Sequence, residues 1–359
     1  MFESFIAHKL SWLSGEGPES NIVFSSRIRL ARNISDFPFP SQATIIQNLK
    51  ILSKIKSAYS DIKGLEDSIF VDMDTLSSLD KQFLLERHLI SQEHTIDSKG
   101  KGLIVSRKED ISIMINEEDH IRLQTVTSGL DLKKCWTTLS DIDNELNNRV
   151  SYSFLADLGY LTSCPTNLGT AMRASCMLHL PALILTKRIN KILELLARIF
   201  FTARGLFGEG TQAFGNFFQI SNQVSLGLSE EEIIDNLIGV VKQVKDQELG
   251  ARETLMKKYK VSLEDNVWRA LGILKNCRLI NSKEALSHLS ILSLGCDLGI
   301  IKDIDILNYG QVKKIINSLF ITVQPAHLQK IQGKSIKEEE ERDFIRAALL
   351  RERLEETIE

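Results

Sequence analysis

The chain has 359 residues, 43% of them hydrophobic, and its 44 basic and 47 acidic side chains leave a formal charge of -3. Length suggests two domains with a substantial core, and near-balanced charge excludes a global field steering the molecule to nucleic acid or a membrane surface. Cys135, Cys164, Cys176, Cys277 and Cys296 form no CxxC pair, which argues against a disulfide framework or a zinc site, and no segment reads as a signal peptide or transmembrane helix, so a soluble, cytoplasmic protein with reduced thiols is expected.

In chain order, the first strong pattern is NIVFSSRIRLARN at residues 21–33. It alternates as a strand: Phe24, Ser26, Ile28 and Leu30 point one way, Val23, Ser25, Arg27 and Arg29 the other. Two arginines on one face are costly to bury without an anion, so this face reads as a phosphate clamp or else as an exposed one. Phe37-Pro38-Phe39-Pro40 ends the strand, and Ile45, Leu49, Leu52 and Ile55 space a helix over residues 43–59. Strand character returns at 102–107, 111–115 and 121–127, with Asn116-Glu117-Glu118-Asp119-His120 joining the last two. Three adjacent carboxylates repel one another unless a metal ion, a guanidinium or an ammonium lies among them, which ties them to chemistry; a solvated acidic loop is the plainer alternative.

Residues 130–150, 173–180, 181–197 and 230–248 carry apolar side chains at three- and four-residue steps and are expected to be helices, with strands at 199–204 and 217–226. Before the helix expected to open at Arg173, a loop over 160–170 centres on Cys164. A lone cysteine is usually a small buried hydrophobe, whereas one beside arginines is favoured as a thiolate. Arg204-Gly205-Leu206-Phe207-Gly208-Glu209-Gly210 permits close backbone approach to a ligand, although no Gly-Lys-Ser/Thr follows as a Walker A loop requires, and a long surface turn is the alternative. Beyond about residue 250 strand signals fade and 261–274, 283–294, 309–319 and 338–356 read as successive helices, which divides the chain into 1–250 and 251–359.

Taken together and in order, SSRIRLARN, NEEDHIR, TSCPTNLGTAMRAS and RGLFGEGTQ resemble the phosphagen (guanidino) kinase superfamily over residues 21–226, with His88 in LLERHLIS. GPES, NEEDHIR and the helical C-terminal extension are similar to those of the bacterial protein-arginine kinases, and only about twenty residues precede the first arginine motif, where small-molecule phosphagen kinases have a helical domain. The resemblance implies an α+β fold, an antiparallel sheet flanked by helices with an all-helical C-terminal domain, and transfer of the γ-phosphoryl of MgATP to a guanidinium nitrogen of a protein arginine.

Residue by residue, it implies that Arg27, Arg29, Arg122, Arg173 and Arg204 surround the triphosphate. Ser25, Ser26, Ile28, Ala174, Ser175, Cys176, Met177 and the loop Gly205, Leu206, Phe207, Gly208 and Glu209 would line the nucleotide, with His88 against the adenosine. Glu118 would orient the acceptor guanidinium and take its proton, Glu117 and Asp119 would support magnesium through water without binding it directly, and Cys164 would touch the guanidinium as a thiolate. Phe207 stands where small-molecule arginine kinases place an arginine, and Gln212 where relatives carry a second substrate-binding glutamate.

In the last helix Arg342 and Arg346 are one turn apart, with Asp343 able to pair with Arg346 on a solvated face. RDFIRA, including Ala347, resembles the RDxxRA motif through which protein-arginine kinases bind phosphoarginine as an allosteric signal. Further implied are a role in protein quality control, a zinc-binding activator protein, a Clp-type unfoldase and self-association into dimers or larger assemblies. The rival readings are a kinase of free arginine, and a non-catalytic phosphoarginine-reading adaptor that Gln212 would favour.

Overall fold

The structure, a computed structural model, describes residues 2, 5–6, 10–205, 213–301 and 309–355. Its strands are β1 (Val23–Arg32), β2 (Ile69–Asp72), β3 (Gly102–Val105), β4 (Ile111–Ile115), β5 (Ile121–Ser128), β6 (Phe154–Leu155), β7 (Gly159–Tyr160), β8 (Met172–His179), β9 (Phe201–Gly205) and β10 (Phe217–Asn222). Eight form one sheet in the order β2-β3-β4-β5-β1-β8-β10-β9, and β6 pairs with β7 in a separate hairpin. β2–β3, β3–β4, β4–β5 and β1–β5 all pair antiparallel. β3 and β4, rich in Ile, Leu and Val, are buried along their whole length, as strands covered on both faces must be.

The chain divides into two compact units. One comprises Ser25–Ser175 and Ser221–Gly239. Its helices are α1 (Ile45–Tyr59), α2 (Ser78–Glu86) and α3 (Leu132–Arg149). α1 starts at a capping box between Thr44 and Gln47, and α2 at one between Ser77 and Asp80, so orphan amides at both N-termini find partners. α3 packs Leu132, Cys135, Leu139, Ile142 and Leu146 against β5 at helical spacing. α1 buries Ile51, Leu52, Ile55 and Ala58, whereas Ile45 and Leu49, expected on the same stripe, remain 49% and 45% exposed. The expected stripe is thus buried only in the second half of the helix, at Leu52 and Ile55, and open in the first.

The other unit comprises Met1–Phe24, Cys176–Ile220 and Val240–Glu359. It contains α4 (Pro181–Leu185), α5 (Ile189–Arg198), α7 (Lys260–Asn276), α8 (Ser282–Asp297), α9 (Tyr309–Thr322), α10 (Pro325–Gln332) and α11 (Glu339–Glu355); α6 (Glu230–Lys258) runs unbroken through Gly250. α8 is the hub, packed on α7, α9 and α4, and α11 lies on α7 and α10. Gly295 of α8 lets Val267 of α7 come close: a Cβ there would sit 2.4 Å from the valine Cγ1. Phe217 meets Phe24 and Phe320 edge to face, each at 4.7 Å between ring centroids.

Residues 173–180, expected to be a helix, form most of β8. Met172, Ala174, Cys176 and Leu178 alternate with Arg173, Ser175 and Met177, and β8 lies between β1 and β10. Covered on both faces, it also carries apolar residues three and four apart, which mimics helical spacing. The single helix expected over 181–197 is two, broken at Thr186–Arg188, where Lys187 takes φ 55°.

Candidate active site

Within the unit built on Ser25–Ser175, the antiparallel register decides which side chains share a face. Arg27 pairs with Val126, Arg29 with Gln124 and Ala31 with Arg122, so Arg27, Arg29 and Arg122 project from the same side of β1 and β5. Arg173 and Ser175 join them from β8, for Arg27 Nε lies 3.5 Å from Ser175 Oγ while Arg173 Nε and Nη2 lie 3.4 Å from Ser221 Oγ. Burial, then the charges of Arg122 and Arg173, push the Arg27 guanidinium down to about 10. Arg29 is driven well below its ordinary value by burial and by Arg27, Arg122 and Arg173, with Glu117 opposing. Its Nε is buried with no hydrogen-bond partner among the described residues. Four converging guanidinium groups and an unspent buried donor make an anion site suited to a polyphosphate.

The β4–β5 connection presents the carboxylates. Asn116, at φ 57°, turns the chain, and its side chain donates to the carbonyls of Asn48 (2.9 Å) and Gly100 (2.7 Å). Glu117 accepts two bonds at 2.8 Å from Arg122 Nη1 and one at 2.5 Å from Ser91. Burial favours its neutral form, but Arg122, Ser91 and the Glu118 amide outweigh burial and hold the carboxyl below its ordinary value. Asp119 is buried and accepts from Asn33 Nδ2 (2.6 Å) and the Ser163 amide (2.7 Å). Between them Glu118 is exposed, its carboxylate without a hydrogen-bond donor among the described residues. Burial of its stem, then Asp119 and Glu117, raises its pKa above the ordinary carboxylate value. The two outer acids are thus held by hydrogen bonds, and the middle one stands between them with its carboxylate open to solvent.

His120 locks the turn: Nδ1 accepts from the Ile34 amide (3.0 Å) and Nε2 donates to the Pro38 carbonyl (2.9 Å), which sets a neutral tautomer. Asn33 is the common brace, because it also accepts from the His120 amide (2.9 Å) and donates to the Leu161 carbonyl (3.0 Å). The Cys164 loop reaches the acids directly, with Ser163 Oγ donating to the Glu118 carbonyl at 2.7 Å. Cys164 is part-exposed, its Sγ 3.0 Å from Thr166 Oγ1. His88, at φ 60°, is pushed down to about 3 by burial and by Arg27, and is therefore a neutral imidazole.

The remaining expected residues fall as follows. Ser26 lies on the face opposite Arg27, where its hydroxyl donates to the Gly129 carbonyl and accepts from the Asp131 amide, and Ile28 is in the core beside it. Ser25 is buried, paired with Ser128. The Ala174 amide donates to Asn222 Oδ1 at 2.8 Å. Cys176 and Met177 continue β8, and Arg204 and Gly205 end β9, all in the other unit. Leu206, Phe207, Gly208, Glu209 and Gln212 lie outside the described residues. In α11, Arg346 is buried and donates to the carbonyls of Val323 (2.8 Å) and Ile280 (2.7 Å) and to Asp343, while Arg342 donates to those of Ile336 (2.9 Å) and Lys337 (2.7 Å). Ala347 is in the core.

Sequence reasoning missed Ser91, Asn33, Ser221 and Gln124, whose Oε1 lies 3.5 Å from Arg27 Nη1. Asn33 ends the same strand motif as the arginines, and its polar side chain beside a buried strand end was a usable signal; nothing in the residue type of Ser91 marks it. Among the described residues, no group of three or more His, Cys, Asp or Glu is arranged to hold a metal ion. With Glu117 given to Arg122 and Asp119 to Asn33, these carboxylates would hold a magnesium ion through water more readily than directly, where it would supply charge neutralisation to phosphates.

Two family models cover most of the chain: "ATP:guanido phosphotransferase, C-terminal catalytic domain" over residues 50–251 and "Protein-arginine kinase McsB C-terminal domain" over 260–359. The protein-arginine kinase of Desulforamulus reducens is 46% identical over 347 residues, 96% of this chain and 95% of its own. That of Geobacillus thermodenitrificans is 47% identical over 356 residues, 98% and 96% of the two chains. Among solved structures, a lombricine kinase aligns with TM-score 0.57 and 27% identity across 66% of this chain and 68% of that one. The substrate-free duplicated taurocyamine kinase from Schistosoma mansoni shares the fold, with TM-score 0.57 and 21% identity across 80% of this chain and 48% of that one.

Proposed function

The chain belongs to the ATP:guanido phosphotransferases, among the protein-arginine kinases, and on that premise we propose that it moves the γ-phosphoryl of MgATP in line onto arginine side chains of proteins, with Glu118 as proton acceptor. The observation that supports this reading best is the face shared by Arg27, Arg29, Arg122 and Arg173, where Arg29 keeps a buried donor unspent. Phosphoryl transfer asks little covalent help of a protein; it asks for alignment and for neutralisation of phosphate charge. The arginines neutralise, and Glu117 fixes the angle of Arg122. Magnesium, when bound with the nucleotide, supplies further neutralisation of the phosphates. A guanidinium, with a pKa above about 12, becomes a nucleophile only if a carboxylate grips it and takes its proton as the N–P bond forms. Glu118, with a raised pKa and no donor of its own, suits that task, and Cys164, on the loop bonded to Glu118, suits a second contact to the guanidinium.

In this reading residues 1–250 are the catalytic part and 251–359 a helical part that senses phosphoarginine through Arg342, Asp343 and Arg346, and the protein works in the cytoplasm in quality control with a zinc-binding activator, a Clp-type unfoldase and copies of itself. The test incubates the purified protein with MgATP and either unfolded casein or free arginine, followed by mass spectrometry that preserves acid-labile N–P bonds. Phosphoarginine on casein is expected; product on free arginine alone would favour the small-molecule rival.

A further inference from the structure

Cys164 stands at the tip of a loop whose neck is closed by two hydrogen bonds, Gly169 N–H to the Leu158 carbonyl (2.8 Å) and Tyr160 N–H to the Gly169 carbonyl (2.9 Å). The neck admits no side chain: a Cβ on Gly159 would lie 2.2 Å from the Gly169 carbonyl oxygen, and one on Gly169, at φ 95°, would lie 2.7 Å from the Leu226 Cα. Ser225 Oγ adds a bond to the Leu168 carbonyl (2.8 Å), so three backbone segments are laced together there: the β6–β7 hairpin, the foot of the Cys164 loop and residues 224–228. Around this knot Phe154, Leu155, Leu158, Val224, Leu226 and Leu228 are 56%, 51%, 39%, 41%, 49% and 37% exposed.

Rigid backbone holding large apolar side chains in water asks for an occupant. The exposed area is on the order of a few hundred Å², well short of the roughly 800 Å² per partner that a stable protein pair buries. Its continuity with the acceptor site says more. Leu158 is six residues from Cys164, at most about 20 Å of extended chain. Asn33 binds the loop to Asp119, and Ser163 binds it to Glu118. The knot is thus within reach of residues a few positions from an arginine held at Glu118, at about 3.4 Å per extended residue.

We propose that the patch is a docking surface for apolar side chains flanking the acceptor arginine of the protein substrate. This rests on the reading of Glu118 and Cys164 as the acceptor site.

The test uses two fluorescein-labelled peptides with one arginine each, one flanked by Leu and Phe, the other by Ser, together with N-acetylarginine amide. The parent and a Phe154→Ser/Leu226→Ser variant are compared by anisotropy without nucleotide and by phosphoarginine formation with MgATP. Expected is a preference of the parent for the apolar peptide of about tenfold, the loss that withdrawing one well-buried side chain entails. The variant should lose that preference while retaining its rate on the serine peptide and the small amide. Equal binding of both peptides by the parent overturns the proposal, as does a variant that loses all three acceptors alike or one whose sedimentation shifts, which would give the patch to a second copy. If the parent phosphorylates nothing, the kinase reading falls, and anisotropy still decides whether the patch binds apolar peptide.

Discussion

At the residue scale the two most instructive groups are Arg29 and Glu118. Arg29 is half-buried among like charges with its buried Nε donor unspent, a cost to the nucleotide-free protein that a phosphate would repay. Arg29→Met should therefore stabilise the nucleotide-free protein by about 1–3 kcal/mol. It should also shrink the stabilisation given by MgATP, which at a hundredfold excess over Kd is about 2.7 kcal/mol for an intact site. Thermal melts with and without MgATP measure both, and a variant with unchanged melts in both conditions would remove Arg29 from the triphosphate. Glu118→Gln keeps the shape and removes the proton acceptor; turnover should fall at least about a hundredfold, with nucleotide affinity by calorimetry unchanged. The arginines and the acids were legible because their types are expensive to bury. Ser91 was not, since only the fold brings it to Glu117, and Asn33 was legible as a polar strand end but not as the partner of Asp119.

At the scale of elements, periodicity located the long helices and the edges of β4 and β5, where one face or both are plainly apolar. It misread β8, whose apolar residues three and four apart mimic a helical stripe beside the alternation, and it passed over α2 and α10, too short for a repeating stripe. The packing of α7 on α8 gives a direct check. Gly295→Ala forces a methyl against Val267 and should cost about 1–3 kcal/mol, read as a lower midpoint in urea. Val267→Ala in the same chain should restore part of it. If the single variant melts like the parent, the helices are not in the contact described.

For the whole molecule, buried histidines set the acid limit. His88 is pushed down to about 3 and His94 to about 4, both chiefly by burial, and His179 is driven well below its ordinary value by burial and by Lys313 and Arg252. The unfolded chain takes up their protons from pH 6.5 downward while the folded one refuses them. Stability should be full above that value and fall as pH drops from 6.5 toward 4, by up to about 1.4 kcal/mol per pH unit for each histidine. Unfolding midpoints across that range test the sign, and His94→Gln should flatten the slope.

The charge crowded on β1, β5 and β8 also bears on the protein's lifetime. A molecule that is weaker when empty opens more often to proteases, and a filled one is spared. Its abundance would then follow the energy supply of the cell: in starvation the idle copies are cleared first, and the capacity to phosphorylate arginine wanes together with the fuel for it.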